Sequence, residues 1–139
     1  MCLKRKKRPP EIPDYESIRP TCVLVVKARG RVFYANFEKN AAAGAWKEKL
    51  QTSSVTVGLR DDGEGELTGA LPWELPRSDE PLRTTSGDIL LSGENRITIC
   101  REEKTGTFTR LARIGSGKED ELRDVLLGAD AQIYLEWGE

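Results

Sequence analysis

Apolar and polar residues along this chain follow two rhythms, one of period two and one of helical period. Cys22-Val23-Leu24-Val25-Val26-Lys27 is a β-branched run of strand length. Ala28-Arg29-Gly30-Arg31 follows as a turn in which Gly30 suits a positive φ, and Arg31–Ala35 returns as a second strand, so the pair predicts a hairpin. From Asn36 to Leu50 the rhythm changes. Phe37, Ala41, Ala42, Ala45, Trp46 and Leu50 recur at helical spacing, with Asn36 placed as the N-cap and Lys39, Lys47 and Lys49 off the apolar stripe. Trp46 on that stripe reads as core.

Period two resumes in Ser53–Arg60, a further strand. Asp61-Asp62-Gly63-Glu64-Gly65-Glu66 is an acidic turn whose composition suits an exposed hairpin tip; a calcium loop of the EF-hand kind needs a longer ordered set of oxygen ligands. Residues 67–87 carry Pro72, Pro76 and Pro81 and show no periodicity, which predicts a long loop with Trp73 as either a ligand contact or a barrel-end plug. Asp88–Leu91, Arg96–Arg101 and Thr107–Ile114 then read as strands. In a regular strand, Phe108 and Arg110 would share one face of the last of these, and Leu111 and Arg113 the other. Ser116-Gly117-Lys118-Glu119 has the capping-box form and opens a short helix through Leu127, closed by Gly128. Ala131, Ile133, Leu135 and Trp137 alternate with polar or amphipathic residues in a final strand.

About seven short strands with charged turns, and two amphipathic helices to plug the ends, predict a mainly β protein built as a closed or nearly closed barrel. A length of 139 residues allows one domain. We place it at 21–139, behind an irregular, basic and Pro-rich arm over 1–20.

Charge changes the picture at one end. Residues 1–21 hold six basic and three acidic side chains, against 16 and 20 in the remainder. The basic run Lys4 to Arg8 suits contact with anionic partners, but it lacks interleaved aromatics, so no specific nucleic-acid binding is expected. Pro9, Pro10, Pro13 and Pro20 leave no apolar segment behind the basic run, so it is no secretory signal and the expected location is cytoplasmic. No apolar run reaches the ~20 residues of a membrane helix.

Histidine is absent from the chain. That excludes Ser-His-Asp and Cys-His nucleophilic arrangements and histidine-based metal sites. Cys2, Cys22 and Cys100 form no C-x-x-C pair, so no metal and no cofactor is expected. The cysteines read as one tail thiol and two small buried hydrophobes, and a Cys22–Cys100 disulfide stays open.

The order of hairpin, helix, barrel strands, short helix and last strand resembles the cyclophilin-like fold. Three stretches carry the likeness to a small prokaryotic family of cyclophilin-like proteins. They are the Ala-rich helix Asn36–Leu50; Gly87-Asp88-Ile89-Leu90-Leu91 with Ile97-Thr98-Ile99; and Ala112-Arg113-Ile114 with the Ser-capped helix and Gln132-Ile133-Tyr134-Leu135-Glu136. The resemblance implies an apolar groove with an arginine that hydrogen-bonds a substrate carbonyl, and peptidyl-prolyl isomerisation in full cyclophilins. In this chain the strand after the first helix offers Gly58-Leu59-Arg60, and the cyclophilin histidine has no counterpart. The expected function is therefore a ligand- or peptide-binding module, with weak prolyl isomerase activity as the alternative. The candidate groove residues are Arg60, Trp73, Phe108, Arg110 and Arg113, and the expected ligand is a peptide or a small acidic molecule.

Overall fold

The computed structural model describes residues 22–64, 66–115 and 119–137. The arm expected over 1–20, the basic run Lys4 to Arg8, Cys2 and the capping residue Ser116 lie outside the described residues.

The first hairpin joins β1 (Cys22–Ala28) to β2 (Arg31–Phe37), with Leu24 opposite Ala35 and Ala28 opposite Arg31. Its two-residue turn puts Arg29 at φ 51° and Gly30 at φ 77°. Paired positive φ values match the strand twist. Helix α1 (Ala41–Thr52) starts four residues later than the sequence predicts. Asn36 and Phe37 stay in β2, paired with Arg113 and Ala112, and Asn40 takes over as N-cap, its Oδ1 accepting from the Ala43 N–H at 2.7 Å. Two asparagines fit a cap equally well by sequence, and the β2 ladder decides between them. Ala42, Ala43, Trp46 and Leu50 form the buried face.

The chain continues through β3 (Val55–Gly58), β4 (Arg60–Asp61), β5 (Leu67–Ala70), β6 (Glu80–Thr84), β7 (Asp88–Ser92), β8 (Arg96–Ile99), β9 (Lys104–Phe108) and β10 (Arg110–Ile114). Helix α2 (Glu119–Leu126) and β11 (Asp130–Trp137) complete the described elements. The aperiodic stretch 67–87 thus contains two strands. Gly69 and Pro81 had hidden them, glycine by diluting the pattern of β5 and proline by arguing against a strand in β6. The single strand expected over Thr107–Ile114 is two, parted at Thr109.

All neighbouring strands in the main sheet are antiparallel, in the order β3-β11-β1-β2-β10-β7-β8-β5-β4. The two end strands are consecutive in sequence, with Leu59 alone between them. That segment pairs with β11 at its start and with β5 at its end, so the sheet curls into a nearly closed barrel. Leu59 donates to Ala129 O and accepts from the Gly128 N–H, both at 2.8 Å, which keeps the crossing segment hooked to the start of β11.

The core fills the barrel: Leu24, Phe33, Trp46, Leu59, Ile89, Ile97, Leu111 and Ile133 are at most 1% exposed. Alternation supplies it along β2, β3 and β5, whereas β7 is buried at four consecutive positions, Asp88 to Leu91. Helix α1 packs against β2, β10 and β11 at the end where β1 begins and β2 finishes. Helix α2 closes the other end. Arg29 Nη1 of the β1–β2 turn donates to Val125 O at 3.1 Å, and Arg31 pairs with Glu121. Gly128 ends the helix region at φ 72°. Strands β6 and β9 pair with each other as a separate ribbon. Cys22 and Cys100 are both free thiols. Among the described residues no helix is long and apolar enough to cross a membrane.

Candidate functional site

The pairing of β7 with β10 contains an irregularity that gathers charge. Arg110 lies opposite Leu90, but Ala112 lies opposite Ile89, so Leu111 is an extra residue in the ladder. Such a bulge reverses the facing of everything beyond it. Arg110 and Arg113, three apart and on opposite faces in a regular strand, both reach Asp88. Arg110 Nη1 donates to Asp88 Oδ2 at 3.1 Å, and Arg113 Nε donates to Oδ1 at 3.1 Å. The Thr85 N–H donates to Oδ2 at 3.0 Å, which fixes the carboxylate from a third side. Asp88 is 1% exposed. A buried carboxylate survives this way, through several donors and at least one full countercharge.

Arg110 Nε also pairs with Glu38, just beyond β2, and Asn40 Nδ2 donates to Arg110 O at 2.8 Å. Burial opposes the Arg110 charge, yet the hydrogen bond and charge of Glu38, followed by Asp88, hold its pKa above the ordinary arginine value. Arg113 is half exposed; its Nη1 donates to nothing among the described residues. The cluster is neutral overall, with two arginines against two carboxylates, and it ties β2, β7, β10 and the start of α1 together.

Beside it runs a groove of about 580 Å³ between the end of β2 and α1. The described residues that line it are Cys22, Asn36, Phe37, Glu38, Lys39, Asn40, Ala43, Gly44 and Lys47. Asn36 is the ladder partner of Arg113, and Glu38 the ion-pair partner of Arg110, so the arginine cluster backs one side of the groove without lining it. Phe37 supplies apolar surface, held edge-on to Trp46 with ring centroids 6.1 Å apart at 83°. Gly44 leaves its side of the helix open, with nothing within 4 Å of where a Cβ would stand. Lys47 Nζ sits 5.9 Å from the centre of the Phe37 ring and 6.0 Å from that of Trp137. Neither Lys39 nor Lys47 has a carboxylate partner among the described residues. Since Arg110 occupies Glu38, the groove presents net positive charge.

The five residues singled out from sequence do not converge. Arg110 and Arg113 meet at Asp88. Arg60 instead bends to Ala129 O at 3.2 Å and pairs with Asp130 at 3.3 Å, on the far side of the barrel closure. Trp73 lies by the C-terminal end of α1, in a depression lined by Glu48, Lys49, Thr52 and Ser53. Phe108 ends the β6–β9 ribbon opposite Glu80, with its ring over Gly106. Sequence reasoning did not single out Asp88 as a site residue, because it reads only as the first residue of a short buried strand. It placed Lys39 and Lys47 merely off the apolar stripe. A three-residue Arg spacing with an unmatched Asp in the neighbouring strand was the one available signal, and it needed the bulge to be meaningful.

Two further polar groupings pair within the fold, the second of them leaving Glu66 Oε2 buried without a hydrogen-bond partner among the described residues. Thr109 Oγ1 donates to Asp79 at 2.6 Å and accepts from the Ser78 N–H at 2.9 Å, while Arg77 Nη2 donates to Asp79 at 2.7 Å. The hydrogen bonds from Arg77 and Thr109 hold the Asp79 pKa below its ordinary value. Lys104 pairs at 2.7 Å with Glu66, which is 5% exposed. Nearby, burial and then the Glu66 charge push the Cys100 thiol up to about 12, which keeps it protonated and a poor nucleophile. Among the described residues no group of histidine, cysteine, aspartate or glutamate is placed to hold a metal ion.

The sequence pattern of the Cyclophilin-like family matches residues 26–136, from within β1 to the end of the last strand. No curated protein and no solved structure matches the chain. The match spans well over half of the chain and covers the barrel with both helices, so this chain belongs to the cyclophilin-like family.

Proposed function

We propose that the protein is a binding module that takes a peptidic or small acidic ligand in the groove between β2 and α1 and catalyses no reaction on it. The observation that carries this reading is that Lys39 and Lys47, without carboxylate partners among the described residues, line a groove of ligand size. Pockets for small ligands commonly span ~300–1,000 Å³ with a few placed polar groups. The ammonium groups of Lys39 and Lys47, both of which line the groove, supply donors for a carboxylate or carbonyl. Asp88 and Glu38, by contrast, are both engaged by arginine, which leaves no free acid–base pair for hydrolysis in this cluster.

Titrating the ¹⁵N-labelled protein with succinate and with acetyl-Ala-Glu-Pro-Ala-amide tests the reading. The amide signals of Phe37, Lys39 and Gly44 are expected to move together, with affinity falling at least fivefold in Lys39→Ala/Lys47→Ala and falling again as salt is raised. Binding that leaves those amides unmoved, or no binding by either probe, would refute the groove.

Weak prolyl isomerisation is the second reading, favoured by Arg113. Asp88 and Thr85 fix that guanidinium while half of it stays in solvent, as a donor to a substrate carbonyl would have to be. Such catalysis needs a positioned donor and a dry cup but no histidine. On the binding-module reading, a protease-coupled isomerisation assay at micromolar protein shows no acceleration. An acceleration abolished by Arg113→Ala would instead make the protein an isomerase.

A further inference from the structure

Among the described residues Trp137 is the most exposed of the large apolar side chains, at 55%. It ends β11 directly opposite Cys22, which lines the groove, so its ring stands at the groove's mouth. Lys47 Nζ lies between this ring and that of Phe37, at 6.0 and 5.9 Å from their centres. An ammonium in that position is attracted by both rings, and among the described residues no carboxylate pairs with it. Tyr34 and Leu127, the other large apolar residues exposed among the described ones, do not line the groove.

An exposed tryptophan ring beside an ammonium without a carboxylate partner among the described residues favours a ligand with two parts, a flat ring and a negative group on its rim. We propose that the ligand of this groove is an aromatic carboxylate, its ring stacked on Trp137 and its carboxylate paired with Lys47, with Lys39 adding to the positive field. This deepens the binding-module reading and rests on it. A ring stacked on Trp137 shares the apolar environment of that face, and its carboxylate then meets Lys47 in a partly desolvated place where the pairing is stronger than in bulk water. Gly44 leaves the helix wall low enough for a ring to enter. Glu38 does not repel the carboxylate strongly because Arg110 neutralises it.

The test compares 2-naphthoate, 2-naphthalenemethanol and acetate by calorimetry, with the Trp137 indole N–H and the Gly44 amide followed by NMR. Naphthoate is expected to bind at least tenfold more tightly than either the alcohol or acetate and to move both signals. Trp137→Ala should cost about tenfold in naphthoate affinity. Lys47→Met should lower naphthoate to the level of the alcohol while leaving the alcohol unchanged. Naphthoate binding no tighter than acetate, or shifts confined to other parts of the barrel, would overturn the proposal. If the acidic tetrapeptide still moves the Phe37 and Gly44 amides in that case, the groove stands and the ligand class falls; if neither probe moves them, the binding-module reading fails as well.

Discussion

Replacing Asp88 with alanine is expected to lower the unfolding free energy by about 3–5 kcal/mol, the range for breaking a buried ion pair and stranding its partner. Asp88 accepts from two guanidinium groups and from the Thr85 backbone, and it is almost fully buried. Arg110, 16% exposed along its side chain, would keep Glu38 but lose the anion on its other edge. Asparagine at 88 should cost less than alanine, since its carbonyl can still accept one of these bonds. A double-mutant cycle with Arg110→Met, read by urea denaturation, measures the coupling. If Asp88→Ala and Arg110→Met destabilise additively, the two side chains do not act as a pair. The same variant should broaden the groove signals in NMR, because the cluster holds Glu38 and includes the strand partner of Asn36, and Glu38 and Asn36 both line the groove.

Gly69→Ala is expected to be similarly severe, at about 3 kcal/mol or more, through overpacking at the barrel closure. A Cβ on Gly69 would overlap the Val57 Cγ1 methyl and stand 2.7 Å from Gly58 O. A methyl can turn aside, but a backbone carbonyl that closes a barrel cannot. Gly69 therefore marks the place where β5 passes against the β3–β4 crossing, and it needs the absence of a side chain rather than a positive φ. Gly44→Ala is the control: it meets nothing within 4 Å, sits within α1, and should stabilise the helix by roughly 1 kcal/mol. Thermal unfolding of the two variants compares them directly, and a Gly69→Ala protein as stable as the parent would show that the barrel is not closed at this point.

Much of the barrel was legible in the sequence because its signals are local. Alternation located β3, β8 and β11, β-branched or apolar runs located β1 and β7, and a turn glycine located the first hairpin with β2. The failures have specific causes. The first helix was begun at Asn36 instead of Asn40, since local capping chemistry does not know how far a strand ladder runs. β5 and β6 vanished into a Pro- and Gly-bearing stretch because Gly69 and Pro81 are there for packing and edge geometry. The candidate arginines were a mixture for a similar reason. Arg110 and Arg113 converge through a bulge, whereas Arg60, identical in composition and also on a strand, folds back onto Asp130.

By itself the sequence determined the mainly β character, the two helices, the absence of imidazole chemistry and the likeness to cyclophilin-like proteins. These are properties of residue type and of short-range period, which the backbone expresses wherever it sits. Tertiary structure alone decided which side chains meet. One extra residue at Leu111 turns Arg113 to the side of Arg110, and one bare Cα at Gly69 lets the sheet close. The return of β11 beside β1 brings Trp137 to Cys22 and Lys47. Contacts of that kind depend on register between distant segments, and a shift of one residue moves a side chain to the opposite face.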